Sequence, residues 1–585
     1  MKYSSSELSP TPTPVSRALT PADAEDRVVI ALDFGTTYSG IAYAFSNPGR
    51  KTEVVPIVDW PGLEGHRQPK VPTLVGYDPK DPTKFKWGGQ VDWRNDAVHG
   101  VKLLLDPSQP RPMYLPTSNV KTELKKLPKD PVDVAADFMG AIYSHALSKI
   151  ESASIKDYFH MCQKQFVLSV PAVWSDVAKD KTLRAAKKAG IHPVTLIKEP
   201  EAAALYTLHM HERALNKGDA FVVCDAGGGT VDLISYEITS TNPSLELAEL
   251  VPGKGGMAGS LGLNKRFAEA VQNLVGDEQW VTLKKGVGWS KASTEFDKVV
   301  KTAFRGDVDE NFYISFPSAN LEDDEDEDLV GNCWTMSGRQ VKGIFDPLIT
   351  DIIRLVEEQV NSAQAKLQGR PIKAIFLVGG FGASLYLKSC IENEIPNIQV
   401  IQPDGAWAAI VKGAVLSRMK NCPTVTSTQA VRHYGTAAWT PYVTMRDKGQ
   451  PQKLCPLEGI NRVRMNTWYI NMGEDLKRNR TIKFPFYRTV TVPYSPHELI
   501  FQDRLITSEA KVPPPYPGPD TKVNCTVTAD FSHVKKARFK RKRGVNGIEY
   551  TEIHYNLVLS TDAANMKFSV EFNGKNLGSA DASYE

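Results

Sequence analysis

The sequence predicts an α/β protein built from two related half-domains, followed by a smaller β-rich domain. Three observations carry that prediction. An apolar strand, an aspartate, a glycine-containing turn and a second apolar strand occur twice, at 28–45 (VVIALDFGTTYSGIAYAF) and at 221–238 (FVVCDAGGGTVDLISYEI). Strand-like and helical runs alternate around these copies, as in FVLSVPAVWSD (166–176) followed by DKTLRAAKKAG (180–190). Beyond about residue 420 the pattern changes to period-two alternation broken by turn residues, which reads as an antiparallel β-domain. A chain of 585 residues also exceeds what a single core organises.

The first element to justify is the turn of the second copy. Gly227, Gly228 and Gly229 remove every Cβ, so backbone N–H groups can approach a ligand closely. Bare N–H groups in a tight turn form an anion nest suited to phosphate. Asp225 and Asp232 flank it, and Mg2+ takes oxygen ligands while keeping several waters. For one such copy, a glycine-rich hairpin with solvated acids is an equal account. The other copy tips the balance. Asp33 lines up with Asp225 and Gly35 with Gly227, so two phosphate-binding turns would face a shared cleft.

DFGTTYSG and DAGGGTVD resemble the first and second phosphate loops of the actin-like ATPases, and among them of the heat-shock protein 70 (DnaK-type) chaperones. The resemblance implies an actin-like (ribonuclease H-like) two-lobed ATPase over 27–420, with ATP or ADP as ligand. It implies Mg2+ held by Asp33 and Asp225, and nucleotide contacts from Gly35, Thr36, Thr37, Tyr38, Gly227, Gly228, Gly229, Thr230 and Asp232. The segment VKLLLD (101–106) sits where that family carries an essential lysine, which makes Lys102 the matching residue. A solvated surface lysine is the ordinary alternative.

Residues 131–150 place Val134, Phe138, Ile142 and Leu147 near helical spacing. The strand at 166–176 meets Pro171 and resembles the family's VPA strand end, between lobe closure and the rest of the chain. In LIKEPEAAALY (196–206), Pro200 fits the first turn of a helix, where its missing N–H costs nothing. Glu199 then stands at the helix start, where the dipole favours its charge. The family match adds a water-orienting role. GKGGMAGSLGLNKRF (253–267) resembles the third nucleotide loop, with Gly259 and Ser260 in place of its glycines and its acids absent. STEFDKVVKTAF (293–304) resembles the helix beside the adenine, with Glu295 and Lys298 as contacts, but Val299 replaces an arginine.

Seven consecutive acids at 322–328 read as a solvated, disordered loop. A helix is expected over 345–367, with Asp346 as N-cap and Pro347 at the first helical position. IKAIFLVGGFGASLYLKSCI (372–391) resembles the adenosine loop through Gly379 and Gly380. Where the family has a serine and an adenine-stacking arginine, this chain has Phe381 and Ala383, leaving Phe381 to stack on the base or to pack. QPDGAWAAIVKGAVL (402–416) matches the family's closing segment, with Asp404 over the nucleotide. Six segments in the family's order span 28–416. In the β-rich part, 421–585, a stiff PPPYPGP loop (513–519) precedes KKARFKRKR (535–543), seven basic residues in nine. That run reads equally as a charged hairpin tip or as a nuclear or acid-binding patch. The chain ends too soon after its last strand for the helical lid of the chaperones.

Composition narrows the setting. The net charge of +3 gives no ground for expecting nucleic acid, and no stretch approaches the roughly 18 apolar residues of a membrane span. Residues 1–26, rich in Ser, Thr and Pro, lack a signal-peptide core and read as a disordered tail. Seven scattered cysteines without a CxxC, as at Cys224 in its apolar run, point to reduced, buried thiols in cytoplasm or nucleus rather than to zinc.

The expectation is therefore an ATP-binding, slowly hydrolysing chaperone-like protein whose lobe closure is relayed to a β-domain that takes a protein client or partner. Lys102, Glu199, Asp225 and Thr230 would carry hydrolysis. A nucleotide-sensing scaffold with little hydrolysis is the alternative favoured by the missing arginine and altered third loop. A small-molecule kinase on the same fold would need an aspartate base over an acceptor pocket. Sugar kinases of this fold lack the EPEAAALY and VPAVW segments.

Overall fold

The computed structural model describes residues 26–46, 53–91, 97–106, 124–125, 127–154, 156–211, 215–242, 244–420, 422–478, 480–561, 566–578 and 583–584. The expected N-terminal tail falls almost wholly outside them. In the first lobe the strand Arg27–Asp33 pairs antiparallel with Tyr38–Ser46 and parallel with Gln163–Val170. Gln163–Val170 pairs parallel with Val194–Lys198, and Val55–Pro56 closes the other edge against Tyr38–Ser46. The second lobe repeats this plan. Ala220–Ala226 pairs antiparallel with Val231–Ser240 and parallel with Ala374–Val378, which pairs parallel with Gln399–Ile401. Glu246–Glu249 lies on the far side of Val231–Ser240. The two sheets share one strand order, so the repeated hairpins open two lobes wound alike, as the duplicated sequence implies.

Helices cover both faces of each sheet, which is why the central strands are apolar nearly throughout. Between the sheets lie the helices Glu199–Met210 and Ala409–Leu416. Ala202, Ala203 and Ala204 of one pack with Ala409 and Ala414 of the other, among Val29, Ala31, Phe221 and Val223 of both sheets. Small side chains set the spacing. A Cβ on Gly413 would lie 1.7 Å from the Ala202 carbonyl oxygen, so the crossing admits only glycine there.

Three local expectations are corrected. The helix expected over 345–367 is Gly338–Lys366, capped by a Ser337–Gln340 capping box, and Pro347 lies inside it rather than at its start. Proline removes an N–H and leaves carbonyls a turn back unpaired. Arg266 repairs this by donating to the carbonyls of Gly343 (3.2 Å) and Ile344 (3.1 Å). Asp346 instead accepts a hydrogen bond from Tyr386 Oη at 2.7 Å. The acidic run 322–328 is solvated but forms a turn, closed by a backbone bridge between Asp324 and Leu329. The helix expected over 293–304 is longer, running from Val287 to Ala303 with a π turn, Phe296–Val300, inside it.

The C-terminal part is antiparallel β, as its period-two pattern predicts. One sheet contains His433–Pro441, Ile460–Ile470, Ile500–Ser508 and Lys522–Asp530; the other contains Thr481–Thr491, Glu549–Thr561 and Met566–Phe572. They enclose one apolar core around Phe531, Ile553, Leu557 and Phe568. The basic run 535–543 ends in an exposed edge strand, Lys540–Arg543. The sheet of the second lobe runs across residue 420. Thr424–Gln429 pairs with Glu246–Glu249, and Asp475–Lys477 pairs with Thr424–Gln429. Cys162, Cys224, Cys422 and Cys525 are buried, and the other three cysteines are partly buried.

Candidate functional site

The two hairpin turns meet face to face. A Cβ on Gly228 would stand 2.1 Å from Thr37 Oγ1, and one on Gly229 would stand 2.5 Å from Thr36 Oγ1. The absence of side chains therefore serves two ends: exposing backbone and letting one turn approach the other. The Gly227 N–H donates to the Thr230 carbonyl at 2.9 Å, and the Gly35 N–H donates to Ser39 Oγ at 3.1 Å. Gly259 stands behind the second turn, where a Cβ would be 2.4 Å from the Gly229 carbonyl carbon. Helix Leu261–Leu283 begins there, its Leu261 N–H donating to the Gly228 carbonyl at 2.7 Å.

Between the lobes opens a cavity of about 1010 Å³. Both turns line it, with Tyr38, Asp33, Lys102, Glu199, Asp225, Thr230, Lys298, Gly379 and Gly380. Those expected residues are thus brought together. Glu295, Asp404, Asp232 and Gly259 do not form its wall. Glu295 accepts the Ser315 N–H at 3.2 Å, and Asp404 is exposed with its carbonyl near Tyr206 Oη. Asp232 accepts the Ala172 N–H at 2.9 Å, tying the turn after Pro171 to the second hairpin. Phe381 reaches the cavity's edge but is 4% exposed, packed in the core near Phe345, so of its two readings the packing one holds. Trp407, which sequence reasoning passed over, lines the cavity edge-on to Tyr38 at 5.4 Å, and a Cβ on Gly380 would lie 3.8 Å from its Nε1.

Three buried carboxyls, Asp33, Glu199 and Asp225, and two buried ammonium groups, Lys70 and Lys102, line the cleft floor, with Asp232 buried behind them. Lys102 Nζ donates to Glu199 Oε1 at 2.5 Å, and Lys102 is 3% exposed. The surface-lysine alternative for Lys102 is therefore excluded. Lys70, unnoticed in the sequence, donates to Asp33 Oδ2 at 2.7 Å, while Ser169 Oγ donates to Asp33 Oδ1 at 2.8 Å. Burial alone would raise the Asp33 carboxyl, but the Lys70 and Lys102 ammonium groups hold it below the ordinary value. Burial, and then the charges of Asp33 and Asp232, push Glu199 up to about 7 against the opposing pull of Lys102. Burial, with the charges of Glu199, Asp232 and Asp33, lifts Asp225 well above its usual value. Asp225 Oδ1 is buried and has no hydrogen-bond partner.

This arrangement tests the fit of Mg2+. Asp225 offers an unpartnered buried carboxylate oxygen in an anionic setting, the donor that a hydrated cation satisfies. Asp33 stands in a different setting, because Lys70 and Ser169 each donate to one of its oxygens and a cation there would share the carboxylate with an ammonium group. The donor set thus fits a cation at Asp225, beside an Asp33 already paired with an ammonium group.

The comparisons with known proteins bear on this geometry. The Hsp70 protein family profile matches residues 116–422. Mouse Heat shock 70 kDa protein 12A is 24% identical over 650 residues, covering 93% of this chain and 91% of that protein. Human Heat shock 70 kDa protein 12B is 24% identical over 586 residues, covering 83% and 82%. Chaperone protein HscA of Pectobacterium carotovorum subsp. carotovorum (strain PC1) is 29% identical over 230 residues, 37% of this chain and 33% of its own.

Proposed function

This chain belongs to the Hsp70 family and carries its nucleotide-binding ATPase fold, and from that premise we propose an ATP-binding, slowly hydrolysing chaperone-like switch. ATP or ADP lies in the cleft, closure of the lobes follows binding, and the β-domain responds. The observation that carries the reading is the meeting of two Cβ-free turns over the buried Lys102–Glu199 pair and the open Asp225 oxygen. Backbone N–H groups of the turns hold the phosphates. Lys102 places positive charge beside the transferring group, Glu199 orients the attacking water, and Thr230 donates to the γ-phosphate. Asp225 would hold Mg2+, which when bound would supply neutralisation of phosphate charge. Titration calorimetry with ATP and ADP, paired with single-turnover hydrolysis, tests the reading. A chain that binds neither nucleotide overturns it, and one that binds but never turns over supports the nucleotide-sensing scaffold.

One observation favours weak base selectivity. Phe381 is turned into the core, and Val299 and Ala383 stand where the family resemblance places arginines, so no cation stacks on the base from those positions. The lost contact is worth about 1–2 kcal/mol on the cation–π scale. ATP and GTP are expected to bind within about tenfold of each other in a calorimetric comparison, corresponding to that loss. A preference for ATP above a thousandfold would contradict this.

The relay is expected to run through helix Glu199–Met210. Arg478, beyond the strand Asp475–Lys477, forms an ion pair with Glu201, which is fully buried in the first turn of that helix. Tyr434 Oη of the β-domain donates to Asp176 Oδ2 at 3.2 Å. Removing one partner of a buried pair strands the other charge, so the test removes both, as Glu201→Gln with Arg478→Met. Nucleotide affinity should hold within about threefold, a fraction of one hydrogen bond. Proteolysis within 430–585 should stop responding to ATP; an unchanged response would discard this route.

A further inference from the structure

We infer that Lys70 does at Asp33 what a bound divalent cation would otherwise have to do, so that this chain binds nucleotide with little dependence on Mg2+. The inference rests on the nucleotide reading above and concerns the same cleft.

Lys70 is 6% exposed and lines the cavity. Its Nζ lies 2.7 Å from Asp33 Oδ2, and Asp33 Oδ1 accepts from Ser169, so a fixed cation already sits on the carboxylate that the resemblance assigns to the metal. An ammonium group has three N–H donors. One is directed to Asp33, which leaves others to meet phosphate oxygens across the first turn.

The lysine is built into that turn rather than draped over it. Val71–Pro72 pairs antiparallel with Ser39 and Tyr38, and the Thr73 N–H donates to the Thr37 carbonyl at 2.8 Å. Ser39 Oγ and Thr73 Oγ1 lie 2.8 Å apart, and Gln68 Nε2 donates to the Lys70 carbonyl at 2.7 Å. The stem lies against the hairpin at Gly40, where a Cβ would be 3.1 Å from Lys70 Cγ. With its backbone and stem fixed, the ammonium group is held for phosphate before nucleotide arrives, and little ordering entropy is lost on binding. Lys102, on Glu199, places a second fixed cation in the same cleft. Covalently attached charge cannot be removed by a chelator, whereas a metal can. Hydrolysis, which draws on Asp225, is a separate matter from this ground-state binding.

The experiment is calorimetric titration of the full chain with ADP, once in excess Mg2+ and once in EDTA. The parent is expected to keep its affinity within about tenfold in EDTA. Lys70→Met should lose roughly 10- to 100-fold in EDTA, the scale of a hydrogen bond to a charged group, and Lys70→Arg should retain most of the parental value. A double variant, Asp33→Asn with Lys70→Met, removes both buried charges and guards against misfolding of the single one. A parent that binds ADP in Mg2+ and loses it in EDTA overturns the inference and leaves the nucleotide reading standing. A parent that binds in neither condition overturns the nucleotide reading itself. If Lys70→Met and the double variant bind in EDTA like the parent, Lys70 is not the compensating cation.

Discussion

Gly228→Val is expected to abolish nucleotide binding in a protein that still folds. The new Cβ would begin 2.1 Å from Thr37 Oγ1 and 2.9 Å from Thr37 Cβ, with two further methyl groups beyond it. The first and second turns would have to separate by more than an ångström. Misplacement on that scale costs about 100-fold where several donors must converge on one ligand. The strands beneath the turn are untouched, since Ala220–Ala226 and Val231–Ser240 keep their register and their buried faces. Thermal unfolding should therefore change little while calorimetric affinity falls at least 100-fold. Parental affinity in a folded variant would remove the second turn from the site.

Lys102→Ala and Glu199→Ala should each slow single-turnover ATP hydrolysis by roughly 100-fold, the scale for one lost electrostatic stabiliser. ATP affinity should change much less, because the turns carry ground-state binding. The buried pair adds a sharper expectation. Glu199 is already pushed up to about 7 by burial, and Lys102 is the group that pulls its proton affinity down. Without Lys102 the proton affinity of the carboxyl rises further, so less of it is ionised to accept a hydrogen bond from water. Lys102→Ala therefore removes the work of both residues, and the double variant should be no slower than Lys102→Ala alone. A strictly multiplicative loss, about 10⁴-fold, would show two independent roles. Parental rates in both single variants would discard the assignment. Breaking the pair from one side also costs about 3–5 kcal/mol of stability, so thermal midpoints must be measured beside the rates.

Much of the architecture was legible because it is written locally. A strand, an acid and a glycine turn fit within eighteen residues, and period two or 3.6 declares itself over a similar span. The duplicated hairpins, the helix opened by Glu199 and Pro200, and the antiparallel strands of the C-terminal part all rest on such patterns. Pro347 misled because a proline inside a helix is tolerated only with outside help. Arg266, which gives that help, lies on another helix.

The pair of lobes, the two glycine turns and the change to a β-domain all follow from short-range turn chemistry and periodicity. Which charges meet follows from the tertiary structure. Lys70 is 37 residues from Asp33 along the chain, and Lys102 is 97 from Glu199. It also turned Phe381 into the core and carried Thr424–Gln429 into the sheet of the second lobe. The reason is that a lysine carries no periodicity and by default stays in water. It becomes a cleft residue when loop closure buries it beside an acid, because a buried charge must have a partner.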